Sequence, residues 1–358
     1  MKAIHRAARI VPSLVFLFTV AAGPLHAATY KIHWLLGHKN LDYFEEAAVS
    51  FKNTVEKESN GDIEVDIKAQ VSDESAKAGI PGFEIANKVA KGEAEMGHSF
   101  ADVLGGLDPQ MYAFDAPYLF RGFRHMEGVF EGPVGSEMLS GLRAHGVVGL
   151  SFTYSGGASG IATFGRELRS PKDLKGLKVA VFGDAVNAAW LTALGAEAVP
   201  FGHELEKLVA MTQERKIDAV VTTWRNFDRH AELAKEYNTV GLMGSTYLVS
   251  VTYINPKFFD SLPEKYQALL SKASREAGRI ERARTIQLNE SAKRGMTEDR
   301  GIREVHLSRA HQREFVEALR PAYRSTIEPL IGKALIEKIR GAADGPEFPA
   351  VPPNIVTR

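Results

Sequence analysis

The sequence predicts an α/β protein with two lobes and a ligand-binding cleft between them. Strand and helix signals alternate along the N-terminal part of the chain, and a second alternating stretch follows residue 154. Of the 358 residues, roughly 330 remain after a predicted leader, which is more than one hydrophobic core usually supports. Residues 263–294 contain no interior proline and only Gly278, in a polar, Arg/Glu-rich pattern. This stretch predicts one long helix that braces both lobes.

Residues 1–27 predict a secretory signal peptide. Lys2, Arg6 and Arg9 form a basic start, residues 10–22 form a short apolar run, and Ala27 offers a small residue for cleavage. The run is shorter than the roughly 20 apolar residues that span a bilayer; an uncleaved amphipathic anchor is the alternative. The chain contains no cysteine, so we expect neither lipid attachment nor disulfides. A periplasmic protein without membrane insertion after cleavage is the expectation.

The charge balance argues against a polyanionic partner. The chain has 44 Lys+Arg and 44 Asp+Glu, so cleavage after Ala27 would remove three basic residues and leave a net charge of −3. Nothing in this balance favours binding to nucleic acid or to an anionic membrane.

Lobe 1, expected over residues 28–153, begins with a βαβ pattern. Residues 31–36 predict a strand, and Asp42–Glu58 has apolar residues at helical spacing. Residues 63–67 then alternate as a strand does. Parallel pairing with a right-handed crossover should follow. A helix at 83–91 and a strand at 95–99 complete this part.

Lobe 2 is expected over residues 154–246, with strands at 177–181 and 219–223 and helices at 185–194 and 204–214. Glycine-rich residues 156–160 are interpreted as a flexible loop beside the pocket. Residues 247–340 should return to lobe 1 through a strand at 247–254, the long helix and C-terminal helices. Residues 341–358, rich in Pro and Gly, should be irregular.

The main enzyme signatures are absent. The sequence has no G-x-x-x-x-G-K-[ST], no H-E-x-x-H and no G-x-S-x-G motif, and its histidines show no metal-ligand spacing. We expect no catalysis, no metal and no cofactor. A binding protein that closes around a small-molecule solute is the simplest interpretation, with its ligand contacts just after the strands.

Several segments carry a family resemblance: FDAPYLF (Phe114–Phe120), residues 132–135, residues 171–178, residues 194–196 and INPKFFDSLP at 254–263. Their content and order resemble the DctP family, the extracytoplasmic solute receptors of TRAP transporters, over roughly residues 31–320. The resemblance implies a periplasmic binding protein fold with mixed sheets, a lobe-spanning helix and an interlobe cleft. It also implies delivery of the solute to TRAP membrane permease subunits.

The departures from the family pattern concern the ligand. The family's P-x-D-L-K-G-x-K-[IV]-R-V segment carries an Arg that clamps a substrate carboxylate, and here that position is Ala180. A second family Arg maps to Ser159 and a pocket Asn to Thr222. Between residues 70 and 92 the chain is longer than the pattern, which should reshape one rim of the cleft. A buried carboxylate without a cation is costly, so the expected ligand is amine-bearing, zwitterionic or neutral rather than a plain dicarboxylate.

Alternatives remain open. Arg225 or His98 could hold a mono- or dicarboxylate or a sulfonate, the chain could be a sensory binding protein, and an enzyme on the same scaffold is a further reading. Asp184 could contact an amine or cap a helix; the two tryptophans could contact the ligand or belong to the core; His98 could be structural, and Tyr154 could be a hinge residue. The candidate ligand contacts are Trp34, His38, His98, Phe100, Tyr154, Ser159, Ala180, Phe182, Asp184, Thr222 and Trp224.

Overall fold

Nine strands form one mixed sheet in the computed structural model, which describes residues 29–37, 42–68, 82–202 and 205–346. The predicted signal peptide, His38, most of the predicted insertion and the tail from residue 347 lie outside these ranges. The strands are β1 (Tyr30–Leu36), β2 (Ile63–Lys68), β3 (Met96–Phe100), β4 (Val148–Thr163), β5 (Lys178–Val181), β6 (Glu197–Pro200), β7 (Ala219–Thr223), β8 (Thr239–Ile254) and β9 (Arg303–Glu304).

The sheet has two parallel sections joined by antiparallel strands. Its order is β2-β1-β3-β8-β4-β7-β5-β6, with β9 beside β8. Strand β1 pairs in parallel with β2 and β3, which we call the first section, and β5 pairs in parallel with β6 and β7, the second section. The β3–β8, β8–β4 and β4–β7 pairs are antiparallel. The predicted βαβ opening and the mixed character of the sheet are confirmed.

Helices lie between and after these strands in the chain. They are α1 (Asp42–Glu58), α2 (Gly82–Lys91), α3 (Ala101–Gly105), α4 (Phe123–Phe130), α5 (Pro133–Gly141), α6 (Ala185–Ala193), α7 (Leu205–Gln213), α8 (Trp224–Arg229), α9 (Ala231–Glu236), α10 (Pro256–Ser261), α11 (Glu264–Arg294), α12 (Arg309–Ala322), α13 (Glu328–Ile331) and α14 (Lys333–Gly341). Short 3₁₀ or π-helical turns lie at Pro109–Asp115, Leu142–His145, Pro171–Leu174, Gly295–Asp299 and Tyr323–Ile327.

Short polar residues begin several of these helices. The side chains of Asp184, Thr223, Asn255 and Ser308 each accept a hydrogen bond from the backbone N–H three residues further on. Such N-caps satisfy donors that a helix leaves unpaired in its first turn. At Asp184 and Thr223 the cap also sets where a strand of the second section ends and its helix starts.

The long strands β4 and β8 connect the two sections. Each has 16 residues, and their ladder shifts register between Tyr154 and Gly157. The prediction of a flexible loop at residues 156–160 is wrong, because these residues lie inside β4. Gly156 and Gly157 have φ values of 134° and 70°, a region that side chains other than glycine's rarely adopt. Glycine here makes a bend in a strand rather than a loop.

Helix α11 is the predicted long helix, with 31 residues. It packs against α1 beside the first section, against β4 along the bend, and against α8 beside the second section. Its buried side chains include polar and charged residues that face β4. The expectation of one helix that contacts both parts of the chain is confirmed.

A buried ion pair joins α11 to α4. The Arg282 guanidinium donates to Glu127 Oε1 at 2.7 Å and Oε2 at 2.9 Å, to Glu131 Oε1 at 2.6 Å and to Phe152 O at 2.7 Å. Only 1% of the Arg282 side chain and 3% of the Glu127 side chain is exposed to solvent. This geometry compensates the desolvation of both charges with a bidentate contact and with a backbone acceptor.

We expect Arg282→Met to lower the free energy of unfolding by about 3–5 kcal/mol, because it leaves the Glu127 carboxylate buried without its cation. Urea denaturation of the mature chain at pH 7 measures this loss. The control is Arg279→Met on the same helix; Arg279 pairs with Glu131 but its side chain is 57% exposed, so its loss should stay below about 1 kcal/mol. Equal losses of unfolding free energy in the two variants would contradict the conclusion that the buried pair of Arg282 contributes more to stability than the exposed pair of Arg279.

Candidate ligand-binding site

The carboxyl ends of the two parallel sections face each other. Phe100 ends β3 in the first section and Phe182 follows β5 in the second, and their rings stack with centroids 6.2 Å apart. Phe182 also contacts Phe201, which follows β6, at 5.0 Å. Ligands of open α/β sheets bind where the carboxyl ends of strands meet. The predicted candidates Phe100 and Phe182 therefore lie together at the expected place.

Polar side chains of helix α6, which follows β5, meet an aspartate from the turn at Pro109–Asp115. Asp184 Oδ1 accepts from the backbone N–H of Asn187 at 2.8 Å, which confirms Asp184 as the N-cap of α6. The Asn187 amide also donates to Asp184 Oδ2 and, at 3.1 Å, to Asp115 Oδ1. Asp115 comes from the turn at Pro109–Asp115, which precedes β4 in the chain. Asn187 thus joins two carboxyl groups, one from each side.

These carboxyl groups lie in an electrostatically unfavourable place for two negative charges. Burial raises the pKa of Asp115 well above its usual value, and the nearby charges of Asp184 and Asp102 raise it further. Burial likewise raises the pKa of Asp184, although the hydrogen bonds from Asn187 oppose this. Burial and the same three aspartates raise the pKa of the Tyr112 phenol. A positive charge placed among these groups would relieve the repulsion.

Ala180 lies where the family's clamping Arg is expected, and its surroundings are apolar. It pairs in register with Val220 of β7, which pairs with Ala162 of β4. All three are buried in one cluster with Phe201 and Trp224. Thr222 is on the same face of β7 as Val220, two residues nearer the carboxyl end. The register therefore puts Ala180 and Thr222 on one face of the second section.

Ser159 lies in the middle of the sheet. It pairs with Thr223 on one side and with Thr246 on the other, and it is buried. A band of hydroxyl groups thus crosses the joined strands near the ends of β7. It offers hydrogen-bonding groups without charge.

Arg225, the predicted substitute cation, lies in the first turn of α8. Its backbone N–H donates to Asn289 Oδ1 at 3.0 Å, and its guanidinium pairs with Asp228 at 3.2 Å. The side chain is 17% exposed. Because β5 and β7 are parallel neighbours, Arg225 and Asp184 follow the same edge of the sheet.

Four other candidates are held in the protein interior. His98 Nε2 lies 2.8 Å from Thr153 Oγ1, and its ring stacks on Phe44. Trp34 packs against Phe44 and Phe51 of α1. Tyr154 is buried at the bend of β4, and Trp224 is buried in the cluster that contains Ala180. These positions favour the structural alternatives for His98 and both tryptophans, and they place Tyr154 between the two sections.

Sequence reasoning missed Asp102, Tyr112, Asp115 and Asn187. Asp115 stands inside the FDAPYLF segment, but nothing local shows that it meets α6. Asn187 could have been found, because it is the residue whose N–H an Asp184 cap would bind. Asp102 follows β3 by two residues, so the strand-end rule that selected Phe100 also reaches it.

A separate groove of about 500 Å³ lies between α6 and α12. Its lining is mostly alanine, with Thr192, Ser325 and Thr326 as hydroxyl groups and no charged side chain. It offers little to orient a polar solute, so we assign the site to the strand ends. Among the described residues, no cluster of His, Asp or Glu could hold a metal ion, and no helix there is long and apolar enough to cross a bilayer.

Comparisons with known proteins agree with this architecture. The C4-dicarboxylate-binding periplasmic protein DctP of Rhodobacter capsulatus is 27% identical over 300 residues, 83% of this chain and 86% of the relative. A solute-binding protein of Verminephrobacter eiseniae is 25% identical over 264 residues, 72% of this chain and 75% of the relative. A TRAP periplasmic solute-binding protein of Ralstonia eutropha, solved with bound (S)-2-acetolactate, superposes with a TM-score of 0.75 at 20% identity. That superposition covers 87% of this chain and 98% of the other.

The family assignment rests on a match over most of the chain. The profile described as bacterial extracellular solute-binding protein, family 7 (DctP) matches residues 37–329. Apart from strand β1, this range includes both parallel sections, the joining strands β4 and β8, and the long helix α11. The two-lobed fold expected from the sequence is that of the solved neighbours. The chain belongs to the DctP family of bacterial extracellular solute-binding proteins.

Proposed function

We propose that this protein is the periplasmic receptor of a TRAP transporter. It binds a small polar organic solute between the lobes built on the two parallel sections and delivers it to membrane permease subunits. It performs no bond chemistry on the solute. The observation that carries this proposal is the meeting of Phe100 and Phe182, together with Asp115 and Asp184, at the facing strand ends of a family receptor fold.

The ligand class follows from the charges at this edge. Ala180 is buried among apolar side chains where the family resemblance places a guanidinium. Asp184 lies four residues further on, beside Asp115 and near Asp102. Aromatic rings next to carboxylates suit a cationic group, since ring faces attract cations. We therefore propose an amine-bearing or zwitterionic solute, with a neutral polar solute next, rather than a plain dicarboxylate.

A second candidate is a carboxylate or sulfonate held by Arg225. Two observations favour it: Arg225 is partly buried at the same strand edge, and similar proteins bind organic acids. Solved neighbours contain (S)-2-acetolactate, β-D-glucuronate and galactonate. In a zwitterion, the carboxylate could use Arg225 while the ammonium uses Asp184, so the two candidates differ chiefly in whether the solute needs a positive charge.

A thermal-shift screen of the mature chain from Ala28 separates these ligand classes. We expect shifts with amines or zwitterions such as β-alanine-like compounds, and none with the matched dicarboxylates of equal length. A solute at 100 times its Kd stabilises the folded chain by about 2.7 kcal/mol, which a melting curve resolves. Shifts with dicarboxylates alone would overturn the proposed ligand class, and turnover of any panel compound would overturn the absence of catalysis.

Asp184→Asn tests the role of the carboxylate, because asparagine caps a helix about as well as aspartate. We expect the variant to fold and to lose at least tenfold in affinity for the best amine of the screen, about 1.4 kcal/mol, as measured by calorimetry. The raised pKa of Asp184 means that the wild-type folded chain holds its proton longer than the unfolded chain. Wild-type stability should therefore fall as pH rises above the unfolded pKa, and that fall should be smaller in the variant.

Asp184→Ala is the matched control. It removes the same charge and also the cap, so it should lose the same affinity and about 1 kcal/mol of unfolding free energy in addition. Unchanged amine affinity in Asp184→Asn would show that Asp184 only caps α6.

A further inference from the structure

The bend of β4 takes backbone groups out of the β4–β8 ladder. Tyr154 pairs with Val249 and Gly157 with Leu248, so the register of the ladder passes over Ser155 and Gly156 of β4. Buried N–H and C=O groups that leave a ladder need other hydrogen-bonding partners. Here α11 supplies the partner of the Gly156 carbonyl and also contacts the backbone N–H and C=O of Tyr154, where the bend begins.

Three α11 side chains reach the bend, and we call them the α11 clamp: Glu281, Thr285 and Asn289. Their i, i+4, i+8 spacing puts them on one face of the helix. Glu281 Oε2 accepts from the Tyr154 N–H at 2.5 Å. Thr285 Oγ1 lies 3.2 Å from the Tyr154 carbonyl oxygen, and Asn289 donates to the Gly156 carbonyl at 2.7 Å.

The number of hydrogen bonds that the Thr285 hydroxyl can donate bears on the charge of Glu281. Thr285 Oγ1 lies 3.2 Å from Tyr154 O and also 2.6 Å from Glu281 Oε1. A hydroxyl has one hydrogen and can donate to only one of these oxygens. Both contacts are hydrogen bonds if Thr285 donates to Tyr154 O while a protonated Glu281 donates to Thr285. Glu281 is fully buried, which favours the same neutral form.

The charged groups around Glu281 are already engaged. Arg282, its neighbour on α11, is paired with Glu127 of α4 and with Glu131, the residue that follows α4. From α1, Glu46 pairs with Arg284 at 3.6 Å. The Tyr154 phenol of β4 is buried, as is that of Tyr247 of β8.

These surroundings set the direction of the shift. Burial raises the pKa of Glu281 to about 8, with a smaller upward contribution from Glu127. The hydrogen bonds from Thr285 and Tyr154 and the charge of Arg282 oppose it.

The clamp also reaches the candidate site. While the Asn289 amide donates to Gly156 O, its carbonyl oxygen accepts from the Arg225 N–H at 3.0 Å. One side chain thus joins the bend of β4 to the first turn of α8, directly after Thr222 and Thr223. A displacement of the bend would therefore also displace the first turn of α8 at this edge of the site.

We propose that Glu281, in its neutral form, is a positioning residue for solute binding: through the α11 clamp it holds the β4 bend that sets how the two lobes meet. This proposal rests on the proposed receptor function. Ionisation of Glu281 removes its donor, so Thr285 must choose between Glu281 and Tyr154 O. The clamp then loses a contact on the Tyr154 carbonyl or on the carboxylate, and the bend loosens.

The test compares wild type with Glu281→Gln, whose amide both accepts from Tyr154 N–H and donates to Thr285, with no solute present. Urea unfolding is measured from pH 5 to 9. A folded pKa of about 8 against an ordinary 4.5 means that the wild-type folding constant, relative to the variant, should fall about tenfold per pH unit in this window and level off above pH 8. The control, Glu290→Gln, makes the same change at an exposed position of α11 and should give a flat ratio.

A second readout separates positioning from simple stability. The chain has no cysteine, so exposed Asn60 and Lys175 can be replaced by cysteine for a pair of distance labels across the two lobes. We expect the label distance to broaden between pH 6 and 9 in wild type and to stay fixed in Glu281→Gln. Thr285→Val, which cannot donate to Tyr154 O, should broaden it at every pH.

A flat stability ratio, or a label distance that ignores pH in wild type, would overturn the clamp proposal. Because neither measurement uses a solute, such a failure would leave the receptor function untouched. Failure of the ligand screen would likewise leave the clamp untouched.

Discussion

The structure depends on how the backbone of β4 is satisfied where it bends between the two sections. A bent, buried strand leaves N–H and C=O groups unpaired, and each such group costs free energy when it is removed from water without a partner. Arg282, Glu281, Thr285 and Asn289 supply partners between Phe152 and Gly156. Residues 281–289 of α11 therefore form one stretch of helix that runs along the bend.

Local patterns could predict the parallel sections but not the strand that joins them. Alternating apolar residues identify β2 and apolar residues at helical spacing identify α1, while the strand-end rule points to Phe100, Phe182 and Asp184. Strand β4 escapes that reasoning because glycines at 156 and 157, which usually mark loops, are needed here for positive φ within a strand. The contacts of Asp184 could not be predicted from local patterns for another reason. Asp115 is brought to α6 by tertiary packing, and no spacing in the sequence encodes that contact.

The same limit explains the aromatic candidates. A strand pattern shows that alternate residues share a face, but it does not show which face meets a helix and which meets a cleft. Trp34 turns out to pack on α1, whereas Phe100, at the end of its strand, meets the opposite section. Position along a strand is therefore the better guide to a ligand contact than residue type. By that rule Thr222, Phe182 and Asp184 remain the stronger candidates, and Trp34 the weaker one.

Ionisation of Asp115 and Asp184 and ionisation of Glu281 have opposite effects on the binding of a cationic solute. Asp115 and Asp184 hold protons longer in the folded chain than in the unfolded one, and an amine solute would favour their ionised forms. By linkage, affinity for that solute rises with pH until these groups are ionised. Glu281 affects binding at alkaline pH. Loss of its proton there loosens the β4 bend that sets how the two lobes meet. A cationic solute would then bind best between these two ionisations, whereas a carboxylate solute repelled by the aspartates would lose affinity as pH rises through both. An initial rise of affinity with pH would thus indicate a positively charged solute, and a continuous fall would indicate a negatively charged one.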